Sequence, residues 1–268
     1  MDALRQIDGW SAAHAAAALV GADGVVATHG SREHVFRWAS VTKTATALAT
    51  LVAAEEGALD LDEPAGPPGA TVRHLLAHTS GLPFDAGAPL GRPGKRRIYS
   101  NHGFEVLADH VAERTEIAFP VYLREAVFAP LGMRSELRGS AGSEVHGSLH
   151  DLVRLAGQLL RPTLVAPEML TEATSVAFPG LGGVLPGFGR YEPLDWGLGF
   201  ELKDGRPEHW SGSRTSARTF GHFGGSGTFL WVDPDRGLAL ACLTDREFDE
   251  WAKQAWPKLS DAVLEEVQ

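Results

Sequence analysis

Cysteine is all but missing from this 268-residue chain, where Cys242 stands alone. One thiol cannot form an internal disulfide, and a cysteine-dominated metal site is excluded by count, so a reducing compartment is expected. Positive charge is also scarce. Lys and Arg number 24 against 34 Asp and Glu, a formal net charge of −10, with no basic run longer than Lys95-Arg96-Arg97. That balance excludes nucleic acid and an anionic membrane surface as main partners. Long hydrophobic runs are lacking too. The apolar stretch 12–20 is interrupted by His14 and stops at Gly21, far short of a membrane span. Met1-Asp2-Ala3-Leu4-Arg5 shows no basic start leading into a secretory signal. A cytoplasmic, monomeric protein acting on a small molecule, with no membrane attachment, is the expectation. Internal repeats and low-complexity tracts are absent as well.

What remains is ordinary globular material, 44% apolar and 22% charged, long enough for one large domain or two interlocked smaller ones. A short opening helix is expected to end over 8–13. Stretches 14–20 and 25–29 flank Gly21-Ala22-Asp23-Gly24 and predict a β-hairpin. Val41, Ala45, Leu48 and Val52 recur at helical spacing, so 41–56 reads as a largely buried helix. A Pro/Gly cluster at 64–69 marks a break. Helices are then expected over 71–78, along the stripe Phe104, Leu107, Ala108 and Val111, and over 120–128, 149–160 and 167–173. Residues 178–195 read as a long Gly/Pro-rich loop. Strands follow at 199–202, 227–232 and 238–243, and a terminal helix from Asp249 that Pro257 kinks or splits. The predicted fold class is α+β: an antiparallel sheet made by both termini (1–63 and 190–268), flanked by helices, with a mainly helical insert (64–189). The active site is expected in the cleft between them.

Three short motifs carry chemistry. In Ser40-Val41-Thr42-Lys43 the serine and lysine share one helix face, and Ser40 sits where backbone N–H groups and the helix dipole favour negative charge. A desolvated lysine can lose its proton and serve as base to the hydroxyl; equally, a serine cap with a solvated lysine fits the same four residues. Tyr99-Ser100-Asn101 opens the next long helix. A phenol whose pKa is lowered by a neighbouring ammonium can relay protons, while Asn101 could instead simply cap the helix. In Gly221-His222-Phe223-Gly224-Gly225-Ser226-Gly227, just before a predicted strand, glycines let a substrate approach and expose N–H groups for an oxyanion hole. A flexible loop with an incidental histidine is the alternative.

In this order and setting the three motifs resemble the serine β-lactamase and penicillin-binding-protein superfamily, whose members combine Ser-x-x-Lys with later polar and glycine-bearing elements. The Tyr-Ser-Asn form is similar to the class C β-lactamase-like branch, with its esterase and D-aminopeptidase relatives. So are Phe36-Arg37-Trp38-Ala39, His74-Leu75-Leu76-Ala77-His78-Thr79-Ser80-Gly81-Leu82 and Trp196-Gly197-Leu198-Gly199-Phe200. The resemblance implies a β-lactamase/transpeptidase-like fold and a hydrolase that needs neither cofactor nor metal. It makes Ser40 the acylated nucleophile, Lys43 its proton partner and Tyr99 the acid or base at the leaving group. Asn101, His222, Gly224 and Gly225 become the substrate-binding set, with Gly225 and Ser40 supplying oxyanion N–H groups.

Two departures matter. His222-Phe223-Gly224 stands where β-lactamases carry Lys-Thr-Gly; a partly charged histidine and a phenylalanine without a hydroxyl weaken carboxylate recognition. The chain is also short for the branch. Both shift the expected substrate from a lactam towards an ester or small amide, and motivate the rival of a non-catalytic scaffold or ligand sensor. The pairs His74/His78 and His146/His150, at i, i+4, raise a weaker metal-hydrolase rival; packing or capping is the expected role. Arg214 and Arg218 are expected to be solvated, and Trp196, Trp210 and Trp231 to wall the cleft or pack the core.

Overall fold

The computed structural model describes residues 1–206 and 208–267. From the start of the chain, β1 (Ala15–Gly21) and β2 (Gly24–Gly30) join β9 (Glu201–Leu202), β10 (Phe220–Gly224), β11 (Thr228–Asp233) and β12 (Leu238–Thr244). They form one six-stranded antiparallel sheet in the order β2-β1-β12-β11-β10-β9, with Ala17 opposite Cys242 in the join between the two ends of the chain. The α+β class with a sheet closed by both termini is therefore what the chain adopts.

This sheet is covered on both faces, which is why β11 and β12 read as near-continuous apolar runs. The two-residue period of a strand sorts their side chains. Leu230, Val232, Ala241 and Leu243 enter a core shared with α1 (Thr42–Glu55), α3 (Asn101–Thr115) and α5 (Leu149–Leu160). Phe229, Trp231, Leu240 and Cys242 enter a second core under α7 (Glu250–Glu266) and the opening 3-10 helix Ala3–Gly9. Helix α1 is buried from Thr42 to Ala53, and its threonines dispose of their hydroxyls internally: Thr44 Oγ1 donates to Val41 O at 2.8 Å and Thr50 Oγ1 to Thr46 O at 2.9 Å. Between the halves also lie α2 (Val72–Leu76), α4 (Phe119–Leu123), running on as a π-helical turn Arg124–Phe128, and α6 (Pro167–Ala173). Two small three-stranded sheets complete the fold. One holds β3 (Val35–Arg37), β5 (Glu136–Leu137) and β6 (Val145–Ser148); the other holds β4 (Arg97–Ile98), β7 (Gly183–Leu185) and β8 (Gly189–Tyr191).

Several expectations are corrected. The supposed loop 178–195 contains the β7–β8 hairpin, because Arg97 and Ile98 of β4 give β7 a parallel partner no local signal announces. The glycine-rich segment around His222 is itself strand β10, its backbone paired with β11 on one side and β9 on the other. The opening helix ends at Gly9, inside the expected 8–13, and is a 3-10 helix over Ala3–Gly9. Helix α7 runs unbroken through Pro257, since Trp256, Leu259 and Ser260 are buried against the sheet and Trp231 Nε1 donates to Ser260 Oγ at 3.0 Å; tertiary packing outweighs proline's local cost. Among the described residues no helix is long and apolar enough to cross a membrane.

Candidate active site

Ser40 lies in the 3-10 turn Ala39–Val41 that leads directly into α1. The turn is clamped from two sides through Trp38. Its N–H donates to Val145 O at 2.9 Å and its Nε1 to Gly147 O at 3.1 Å, both on β6. From the main sheet, Thr228 Oγ1 donates to Trp38 O at 2.9 Å and Ser226 Oγ to Arg37 O at 2.8 Å. Within this clamp Ala39 takes φ +44°, a conformation costly for a residue with a Cβ and sustained only by its surroundings. Ser40, the second residue of the turn, has an N–H with no acceptor inside the helix.

One turn further on, Lys43 is fully buried. Its Nζ contacts Ser40 Oγ at 3.2 Å, Asn101 Oδ1 at 2.6 Å and Gly142 O at 2.7 Å. Asn101 and Gly142 present acceptors only, so a neutral amine spends both its hydrogens on them and turns its lone pair towards the Ser40 hydroxyl. Burial favours that neutral form, holding Lys43 well below the ordinary lysine range, while Glu105 pulls the other way. Asn101 is free for this contact because it does not cap α3; Ser100 does, its Oγ accepting the Gly103 N–H at 2.7 Å. Gly142 and Glu105 escape sequence reasoning. Glu105 Oε1 accepts from Ser140 Oγ at 2.9 Å, and Ser140 Oγ accepts the Gly142 N–H at 3.2 Å, so the carboxylate steadies the turn that delivers the Gly142 carbonyl. The i, i+4 spacing of Asn101 and Glu105 is the signal that could have found the latter; nothing local points to Gly142.

Tyr99 is half-buried, its ring 4.7 Å from Lys43 Nζ and its hydroxyl 3.4 Å from His222 Nε2. The expected lowering of its pKa does not occur. Burial pushes it well up, and the Ser40 hydroxyl only partly offsets this, so Tyr99 rests as a neutral phenol. His222 is likewise not the partly charged group expected. It is buried, and that burial, together with the nearby Lys43, lowers its pKa to about 3. Its Nδ1 lies 2.7 Å from the Phe223 carbonyl; because a carbonyl only accepts, Nδ1 carries the hydrogen and Nε2 accepts towards Tyr99. His78 and Trp196 complete an aromatic wall, with ring centroids 4.5 and 5.8 Å from Tyr99. His78 Nδ1 also accepts the Ser100 N–H at 3.1 Å, the structural part expected of that histidine.

Gly225 is exposed at the end of β10 and lines, with Ser40, Tyr99, His222, Phe223, Phe84 and Pro186, a chamber of about 170 Å³. Gly224 lies elsewhere: it is buried with its Cα against the Ser40 turn, where a Cβ would stand 2.5 Å from Trp38 O. Ser40, Lys43, Tyr99, Asn101, His222 and Gly225 are thus gathered in one place, and Gly224 supports them from behind.

Of the features set aside, His78 and Trp196 join the wall of this cluster, and the others play no part in it. His146 is on β6 and His150 in the first turn of α5, so they do not share a helix face. Arg214 pairs with Glu265 at 2.6 Å and Arg218 with Asp235 at 2.9 Å on the surface. Trp196, Trp210 and Trp231 are all buried.

A two-ended antiparallel sheet with helices on both faces, and a serine leading a buried helix with a lysine one turn behind it, define the β-lactamase/transpeptidase-like class of protein. The Beta-lactamase family profile matches residues 4–264, and the chain belongs to that family, a family of hydrolases. It is similar to a structure described as a β-lactamase from Mycobacterium bovis, with 54% identity, a TM-score of 0.97 and 98% of each chain covered. It shares its fold with simvastatin synthase from Aspergillus terreus, at 18% identity, a TM-score of 0.82, and 99% and 96% of the two chains covered. Penicillin-binding protein 4* of Bacillus subtilis (strain 168) is 27% identical over 132 residues, which span 37% of this chain and 29% of that relative.

Proposed function

We propose that the chain is a serine hydrolase of the class C β-lactamase-like branch that cleaves an ester or small amide through an acyl group on Ser40. One observation carries the proposal: Lys43 Nζ, desolvated, has its two hydrogens claimed by Asn101 Oδ1 and Gly142 O and faces Ser40 Oγ at 3.2 Å. Ser40 Oγ attacks the carbonyl carbon as its proton passes to Lys43. The carbonyl electron pair becomes an oxyanion that the N–H groups of Ser40 and Gly225, both lining the chamber, stabilise as donors. Collapse breaks the bond to the leaving group, which takes the Tyr99 proton; the Lys43 ammonium then restores it. Water repeats the sequence on the acyl-enzyme, returning the proton to Ser40 and releasing the acid. An alcohol or amine in place of water makes the same site a transacylase.

Esters are favoured over lactams because the chamber offers no fixed cation and no hydroxyl at His222-Phe223 for a lactam's carboxylate. The Tyr99-Ser100-Asn101 form supports the branch. Intact-mass measurement after a fluorophosphonate tests the nucleophile: the expected result is one adduct, lost in Ser40→Ala. Absence of any adduct, with fluorophosphonate or β-lactam, leaves the scaffold or sensor alternative instead. A panel of short nitrophenyl esters, D-alanyl amides and a chromogenic cephalosporin tests the substrate. Esters are expected to turn over fastest, and preferential turnover of the cephalosporin overturns that choice.

A further inference from the structure

The chamber at Ser40 is small. At about 170 Å³ it holds the reacting group and little more, since one water-sized atom takes roughly 30 Å³. It shares the walls Phe84, Tyr99 and Pro186 with a neighbouring arm of about 410 Å³ that no step of the proposed chemistry uses. Two properties set this arm apart. First, its lining exposes large apolar side chains that a folded surface ordinarily hides: Phe84, Leu90 and Val184 are 46%, 59% and 55% accessible. Second, among the described residues three arginines line it and no carboxylate does, in a chain of net charge −10.

The three arginines differ. Arg97 is buried, with its guanidinium hydrogens given to the carbonyls of Leu194, Ala77, Ala177 and Phe178, so it is part of the wall. Arg190 is paired with Glu192. Arg96 donates through Nη2 to Leu90 O at 2.9 Å and, among the described residues, has no carboxylate partner. Its remaining N–H groups are available at the end of an apolar trough, in a planar arrangement that suits a carboxylate.

We infer that the arm is a substrate subsite for an extended apolar group ending in an anion, an aliphatic chain along Phe84, Leu90 and Val184 with a carboxylate at Arg96. This rests on the Ser40 hydrolase proposal only for calling the occupant a substrate; the binding itself does not need the nucleophile. The subsite also places the anion recognised by this protein at Arg96 and not at His222-Phe223, which are not among the arm's lining residues.

Ligand-observed NMR titration of octanoate and 1-octanol, on the wild type and on Ser40→Ala, tests it without any turnover. Both proteins are expected to bind octanoate about fivefold more tightly than the alcohol, the range of an exposed ion pair, with the gap shrinking in 0.5 M salt, added on the order of the screening needed. Arg96→Gln, at an exposed position, should bring the two ligands within about twofold. Leu90→Ser should weaken both together, and Arg124→Gln, remote from the arm, should change neither. Equal affinities in the wild type, no binding of either ligand, or a preference that survives Arg96→Gln overturns the inference. Octanoate binding with no fluorophosphonate adduct would keep the subsite and defeat the hydrolase proposal; an adduct without octanoate binding would do the reverse.

Discussion

Asn101 and Glu105 lie one turn apart on α3 and hold the same amine from two directions. Asn101 meets Lys43 Nζ directly at 2.6 Å, and Glu105 acts through Ser140 on the turn that presents Gly142 O at 2.7 Å. Glu105 is therefore a positioning residue, and its charge also raises the proton affinity of Lys43. Glu105→Gln keeps an acceptor for Ser140 but removes the charge. Lys43 then loses its proton at lower pH, so the acid limb of kcat/KM should move to lower pH with the maximal rate little changed. Glu105→Ala also releases Ser140 and should lower kcat by about tenfold, the scale of one lost hydrogen bond, with KM nearly constant. An acid limb that stays in place in Glu105→Gln would refute the coupling.

Tyr99 rests as a neutral phenol whose hydroxyl faces Ser40 and lies 3.4 Å from His222 Nε2, with no short hydrogen bond among the described residues holding it. Tyr99→Phe should therefore fold normally, with a melting temperature close to the wild type. Its hydrolysis of an ester with a poor alcohol leaving group should fall by about 10²–10⁴-fold, the range of a lost general acid. A nitrophenyl leaving group needs less protonation, so the loss there should be smaller. Equal losses on both esters would remove Tyr99 from the leaving-group step.

The adjacent glycines at the end of β10 should respond differently to the same change. In Gly224→Ala the new Cβ meets Trp38 O at 2.5 Å and Thr228 Oγ1 at 2.6 Å, in the clamp that fixes the Ser40 turn. A destabilisation of about 1–3 kcal/mol is expected from such overpacking. In Gly225→Ala the Cβ meets nothing within 4 Å and the N–H is retained, so stability should stay within about 0.5 kcal/mol. Urea denaturation of the two variants checks the contrast; equal midpoints would contradict it.

His222 gives the protein an acid-sensitive stability. Folding lowers its pKa from the usual 6.5 to about 3. Below pH 6.5 the unfolded chain binds a proton that the native state refuses, so stability falls as pH drops through that window. One such group contributes up to about 1.4 kcal/mol per pH unit. Burial lowers His78 in the same direction. Unfolding free energies measured between pH 6.5 and 5 should fall less steeply in His222→Gln than in the wild type. Parallel slopes would show that His222 is already protonated in the native state.

The sequence alone determined the elements whose signals are local, and the class of chemistry. The period of α5 and α6, the strands β11 and β12, and the spacing of Ser40 and Lys43 are legible because each depends on neighbours within one or two turns. What only the tertiary structure decided concerns groups far apart in the chain. Strand β7 exists because β4 pairs with it, and α7 passes through Pro257 because its buried face is held against Trp231. Gly142, invisible as a motif, supplies Lys43 with an acceptor at 2.7 Å, beside that of Asn101 at 2.6 Å. The protonation states followed the same rule: residue types suggested a lowered phenol and a half-charged histidine, whereas burial, set by the whole fold, keeps both Tyr99 and His222 neutral.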